Sequence, residues 1–176
     1  MALKVTRVEV WRGELRDAPG GLADALEALA AGGASVDFVI ARRNDNQPGI
    51  GQVFVTPLKG KRAGDAARAA GLSEASNVPT LRVEGADRPG LGSRITRAIG
   101  DAGVNVRGVS AAVIGNKFVA YIGLDSDADA NTAMRALKGV GDRAGTPGAG
   151  SRGRAAASGT GTRRRATATA SRRRRT

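Results

Sequence analysis

The run TLRVEGADRPGLGSRITRAIGDAGVNV, residues 80–106, holds a strand, a turn, a helix and the start of another strand. Thr80 to Glu84 reads as the strand. Leu91, Ile95, Ala98, Ile99 and Ala102 recur at helical spacing, which gives one apolar face for burial. Asp87 and Pro89 precede that helix, where a carboxylate caps free amides and proline loses no hydrogen bond. Downstream, Val104 to Ile114 and Lys117 to Leu124 are predicted to pair as a hairpin turned by Gly115 and Asn116. Asn131 to Lys138 is the predicted last helix.

The same order occurs 70 residues earlier. Asp17, Pro19 and Gly20 correspond to Asp87, Pro89 and Gly90; Gly33, Ser35 and Val36 correspond to Gly103, Asn105 and Val106. In this copy Val5 to Trp11 is predicted to be a strand, with Val8 and Val10 alternating with Arg7 and Glu9. Asp17 is expected to cap a helix whose apolar face is Leu22, Ala25, Leu26 and Leu29. Gly32 and Gly33 supply its left-handed stop. Val36 to Ala41 and Gln52 to Pro57 are predicted strands joined across the polar loop Asn44 to Gly51, and Asp65 to Ala70 a second helix. Each copy reads strand–helix–strand–strand–helix. Ser73 to Val78 is the candidate fourth strand of the first copy, and Gly139 onward shows no strand pattern for the second.

Two helices on one face of a mainly antiparallel sheet make an α+β ferredoxin-like unit. The expected organisation is a first unit over residues 1–72, a second over 73–142 and a tail over 143–176. Units of that size are marginal alone, so the pair is expected to behave as one body.

Composition narrows the chemistry. The chain of 176 residues has no cysteine and no histidine. Disulfides, thiolate nucleophiles and the commonest general base and metal ligand are thereby excluded. No apolar run reaches the ~20 residues of a membrane span. Met1 to Val10 alternates charged and apolar residues rather than forming a signal-peptide core, so a cytoplasmic protein is expected. Of the net +12, +10 lies from Arg143 onward, where ten arginines meet no acidic residue. That tail lacks Leu, Ile, Val and aromatics and is expected to be disordered.

Two motif-like patterns fail. Asp125, Asp127 and Asp129 alternate like a calcium loop, but Ala130 and Ala136 stand where glycine and a carboxylate are needed. Asp127 or Asp129 is instead expected to cap the last helix. Gly60-Lys61 lacks the earlier glycine and following Ser or Thr of a phosphate loop. No paired carboxylates or activated nucleophile are apparent, so no catalytic residue, cofactor or metal site is assigned.

The run from Asp87 to Leu91, followed by a helix and Ala102-Gly103-Val104-Asn105-Val106, resembles the ACT domain. The first copy, Asp17-Ala18-Pro19-Gly20-Gly21 and Gly33-Ala34-Ser35-Val36, is a weaker match. The resemblance implies a ferredoxin-like fold that binds small regulatory ligands, typically amino acids, where two ACT units meet. By that likeness the ligand-binding candidates are Asp87, Pro89, Gly90, Leu91, Asn105 and Val106, with Asp17, Pro19, Gly20, Gly21, Ser35 and Val36 as counterparts. Ser35 departs from the usual asparagine, and the longer hairpin from Arg42 to Gly51 is placed to cover one pocket. Independently of the likeness, helix N-termini carry free amides and partial positive charge that suit a carboxylate. Asn105 has a donor and an acceptor for an amino acid's two charged groups.

Two functions follow as expectations. The first is a non-catalytic, amino-acid-binding regulatory protein, with exposed sheet edges fit for a homodimer. The alternative is a polyanion- or nucleic-acid-binding protein, in which Arg163, Arg164, Arg165, Arg172, Arg173, Arg174 and Arg175 grip phosphates on a tandem ACT scaffold.

Overall fold

The computed structural model describes residues 2–140. The expected disordered tail, with its seven candidate polyanion-binding arginines, lies outside them. The chain order is β1 (Lys4–Val8), β2 (Trp11–Arg16), α1 (Gly21–Ala31), β3 (Phe38–Arg43), β4 (Ile50–Thr56), α2 (Lys61–Ala69), β5 (Leu72–Glu74), β6 (Thr80–Ala86), α3 (Leu91–Asp101), β7 (Gly108–Ile114), β8 (Lys117–Gly123) and α4 (Asp127–Leu137). They form two antiparallel four-stranded sheets, ordered β3-β4-β2-β5 and β1-β6-β8-β7. The fold is thus α+β with two ferredoxin-like units in tandem, and both sheets belong to one compact unit.

The segment Val5 to Trp11 is not one strand. Lys4–Val8 pairs with β6 of the second sheet, from Lys4 opposite Glu84 to Val8 opposite Thr80. The chain then crosses at Glu9 and Val10, and β2 pairs with β4 and β5 of the first sheet. The N-terminal strand therefore fills the place in the second sheet for which the sequence after Gly139 offers no candidate. Leu3 and Val5 pack against that sheet's core. In the first sheet the fourth place goes to β5, only three residues long.

Each sheet buries one face under two helices. In the first unit Trp11, Val53, Val55 and Leu72 meet Leu29 and Ala67. In the second, Leu81, Val83, Ala120 and Ile122 meet Ile95, Ile99, Ala133 and Leu137. The predicted helix faces largely hold, except that Leu22 is 37% exposed and Ala102 is exposed. Gly33 and Gly103 take φ of 78° and 77°, as a left-handed helix stop requires. The last helix begins earlier than predicted. Its cap is Ser126, whose hydroxyl accepts from the Asp129 amide and donates to the Asp129 carboxylate. Asp127 binds Arg7, tying the last helix to the first strand. The three alternating aspartates thus have separate partners, Asp125 lying 3.9 Å from Arg107. Among the described residues no helix is long and apolar enough to cross a membrane.

Candidate functional site

In the second unit β6 runs into the Pro89-Gly90 turn. The Asp87 amide donates to the Asn116 carbonyl, fixing this turn beside the β7–β8 hairpin. Gly90 has φ 77° and is the N-cap residue of α3, a conformation a side chain would strain. Pro89 and Asp87 therefore lie ahead of the cap, and Asp87 does not cap the helix as its place before it suggested. No side chain caps α3. Beyond the turn bonds of Leu91 and Arg94, the first-turn amides of Gly92 and Ser93 remain open to an incoming acceptor. Arg94 reaches back over this turn, its Nη1 donating to the Pro89 carbonyl at 3.1 Å. Its Nε is buried with no acceptor. Two sources of positive charge, a helix N-terminus and a guanidinium, thus converge here.

The first unit builds the same turn with opposite charge. Gly20 caps α1 at φ 90°, again with no side-chain cap. The equivalent of Arg94 is Asp24, which lies 3.8 Å from Arg16. Asp17 does not cap the helix as expected; its carboxylate accepts from Arg43 Nε at 3.1 Å, and its amide donates to the Gly49 carbonyl. The long hairpin thereby lies against this turn. Gly21 is buried so close to the strand end that a Cβ would stand 2.2 Å from the Arg16 carbonyl oxygen, whereas the matching Leu91 is a core side chain. The shift of 70 residues that revealed the repeat also aligns Asp24 with Arg94, so this charge reversal was legible before folding.

The remaining candidates lie elsewhere. Ser35 and Asn105 are exposed, while Val36 and Val106 are half-buried against the two cores. Asn105 follows the C-terminal end of α3, and an 11-residue helix is about 16 Å long. Gly108 pairs with Gly123, whose other neighbour is Thr80, so β7 begins at the end of the sheet where β6 begins. The Asp87–Leu91 turn lies at the end where β6 finishes. One unit therefore does not bring its two groups of candidates together. The outer strand β7 has one paired neighbour, β8, and presents Val109, Val113 and Ile114 at 43%, 49% and 72% exposure.

Residues 79–142 match the ACT domain family model. The second unit is an ACT domain. No curated protein matches the chain. Among solved structures, the regulatory subunit of aspartate kinase from Thermus thermophilus is 19% identical, covers 80% of this chain and 95% of its own, and superposes with a TM-score of 0.57. That from Thermus flavus gives 19%, 80%, 97% and 0.56. A protein from Bacteroides thetaiotaomicron gives 13%, 76%, 88% and 0.64. These likenesses span both sheets, so the fold of the ACT domain at residues 79–142 extends to its tandem partner.

The sequence reading missed a second feature. The helix-free faces of the two sheets meet where Phe38 stacks on Tyr121, ring centroids 4.2 Å apart. Arg82 links the same faces, bonding Asp37 of the first unit and Glu84 of its own, each at 3.1 Å. Burial raises the Tyr121 phenol above its ordinary value, with Arg82 opposing that shift. Alternation marks Phe38 and Tyr121 only as members of strands; their meeting depends on how the sheets pack.

Proposed function

We propose that this chain is a non-catalytic regulatory protein that binds an amino acid where ACT units of two copies meet. The carrying observation is the separation of the candidate groups within a unit, together with the open, apolar edge of β7. Antiparallel pairing of two β7 edges puts residue 108 of one copy opposite residue 114 of the other. Asn105 of one copy then lies at the same end of the joined sheet as the Asp87–Leu91 turn of its partner. In this arrangement the open amides of α3 and Arg94 receive the ligand carboxylate, and Asn105 of the other copy receives its ammonium. The first unit, with Asp24 in place of Arg94 and Ser35 in place of Asn105, suits a carboxylate poorly. Two equivalent sites of the second kind are expected per dimer. The regulatory subunits of aspartate kinase that share the fold support a regulatory role, and the absence of a spanning helix among the described residues fits a cytoplasmic setting.

The test is a thermal-shift panel of the twenty amino acids on the full chain. Free ligand at 100 times its dissociation constant stabilises by about 2.7 kcal/mol, a readily measured shift. One amino acid or a few related ones should raise the melting temperature, and Asn105→Ala and Val113→Lys should each abolish the rise. Val113→Lys should also convert the dimer to a monomer in sedimentation. A flat panel would refute the reading. A second reading rests on the ten tail arginines: the chain also binds polyanions, in which case deleting residues 143–176 abolishes DNA retention and spares amino-acid binding.

A further inference from the structure

We propose that the cleft between the helix-free faces of the two sheets is a separate binding site for a small organic anion carrying a planar ring. The cleft has a volume of about 500 Å³, a size that holds a small ligand. It is lined by Arg12, Arg42 and Arg107, by the aromatic rings of Phe38, Phe54 and Tyr121, and by no carboxylate. The twelve sequence-derived ligand candidates are absent from its lining, so it does not rest on the function proposed above.

The arginines are placed by strand register. Ile40, Phe54 and Arg12 form one cross-strand row on the first sheet, and Arg42 and Gln52 lie in the next. The alternate positions of β4, Val53 and Val55, are in the helix-covered core, so these rows occupy the opposite face. Across the gap, Ser110 and Tyr121 pair on the second sheet. Among the described residues neither Arg12 nor Arg42 makes an ion pair, and Arg107 has its nearest carboxylate, Asp125, 3.9 Å away. Glu14, opposite Gln52 in register, lies on the same sheet face but outside the cleft. A concave surface with cations of one sign and low-dielectric walls concentrates the field on an anion. Guanidinium groups bind carboxylate or phosphate through paired N–H donors and stack on rings. The chain has three phenylalanines and one tyrosine, and three of these four rings line this single cleft. Aromatic walls beside Arg12 and Arg42, which form no ion pair among the described residues, fit a ring joined to an anionic group better than either alone.

The experiment is an amide NMR titration of the full chain with 2-naphthoate, with inorganic phosphate in a parallel arm. Naphthoate should shift the Phe54, Gly108 and Tyr121 amides together and saturably, and phosphate should leave them unmoved at the same concentration. The pair Arg12→Ala and Arg42→Ala should weaken naphthoate binding about ten-fold or more, since charge-assisted hydrogen bonds are lost. Both side chains are exposed, so the fold should survive, and an unchanged amide spectrum elsewhere verifies it. Arg97→Ala, an exposed arginine on α3, should leave the affinity as it was. Naphthoate shifts confined to the tail or to residues 87–91, equal shifts with phosphate, or unchanged affinity in the double variant would overturn the proposal. The ACT-site reading fails separately, through its own panel and Asn105→Ala.

Discussion

Deleting residues 2–8 from the full chain should destabilise the second unit and leave the first sheet paired. The lost strand is five residues long and lies at the sheet edge beside β6. Its ladder hydrogen bonds stabilise by about 1 kcal/mol each, which the ordering entropy of about 1–2 kcal/mol per residue offsets. What survives is side-chain burial. Leu3, Val5 and Val8 are each half-buried, and full burial of such a side chain is worth about 1.5–3 kcal/mol, giving about 1 kcal/mol each. The Arg7–Asp127 pair is exposed enough to add at most about 1 kcal/mol. The expected loss is therefore about 3 kcal/mol, a large share of the roughly 5–15 kcal/mol typical of a domain. Urea unfolding measures the total, and amide hydrogen exchange locates it. Protection should fall at Leu81 and Val83 of β6 and persist at Val53 and Val55 of β4. Unchanged stability, or protection lost first in β4, would refute the assignment of β1 to the second sheet.

Two further outcomes are expected. Because Tyr121 is the single tyrosine, its phenolate absorbance can be followed without overlap, and it should titrate above the ordinary 10.0. Folding favours the neutral phenol, so its contribution to stability is complete below the unfolded value and is lost as pH rises through the folded one; unfolding free energy measured against pH should fall across that alkaline window and Tyr121→Phe should flatten the fall. Gly21→Ala sets a Cβ 2.2 Å from a backbone oxygen and should cost about 1–3 kcal/mol in chemical unfolding, while Gly92→Ala, with open space at its Cβ, should be nearly neutral or stabilising.

What the sequence determined by itself was local or repeated. The 70-residue shift located both units, and Gly33 marked a helix end because only residues free of a Cβ readily take a left-handed φ, which Gly33 does while its neighbour Gly32 stays right-handed. The apolar faces around Leu29 and Ile99 were visible because helical spacing is a property of neighbours along the chain. The fates of Val5 and Trp11 were not visible. Alternation runs through both, and it states which face a side chain takes without naming the sheet that receives it. Only pairing between distant residues, Val5 with Val83 and Trp11 with Val55, divides the run between two sheets. Capping shows the same limit on a smaller scale: Asp17 has the right chemistry for a cap, but its carboxylate goes to Arg43, 26 positions away. The arginine-lined cleft was decided last of all. Arg12, Arg42 and Arg107 are scattered charges in the chain, and they line one space only because the two sheets pack against each other in one compact unit, with Phe38 on Tyr121 and Arg82 on Asp37 between them.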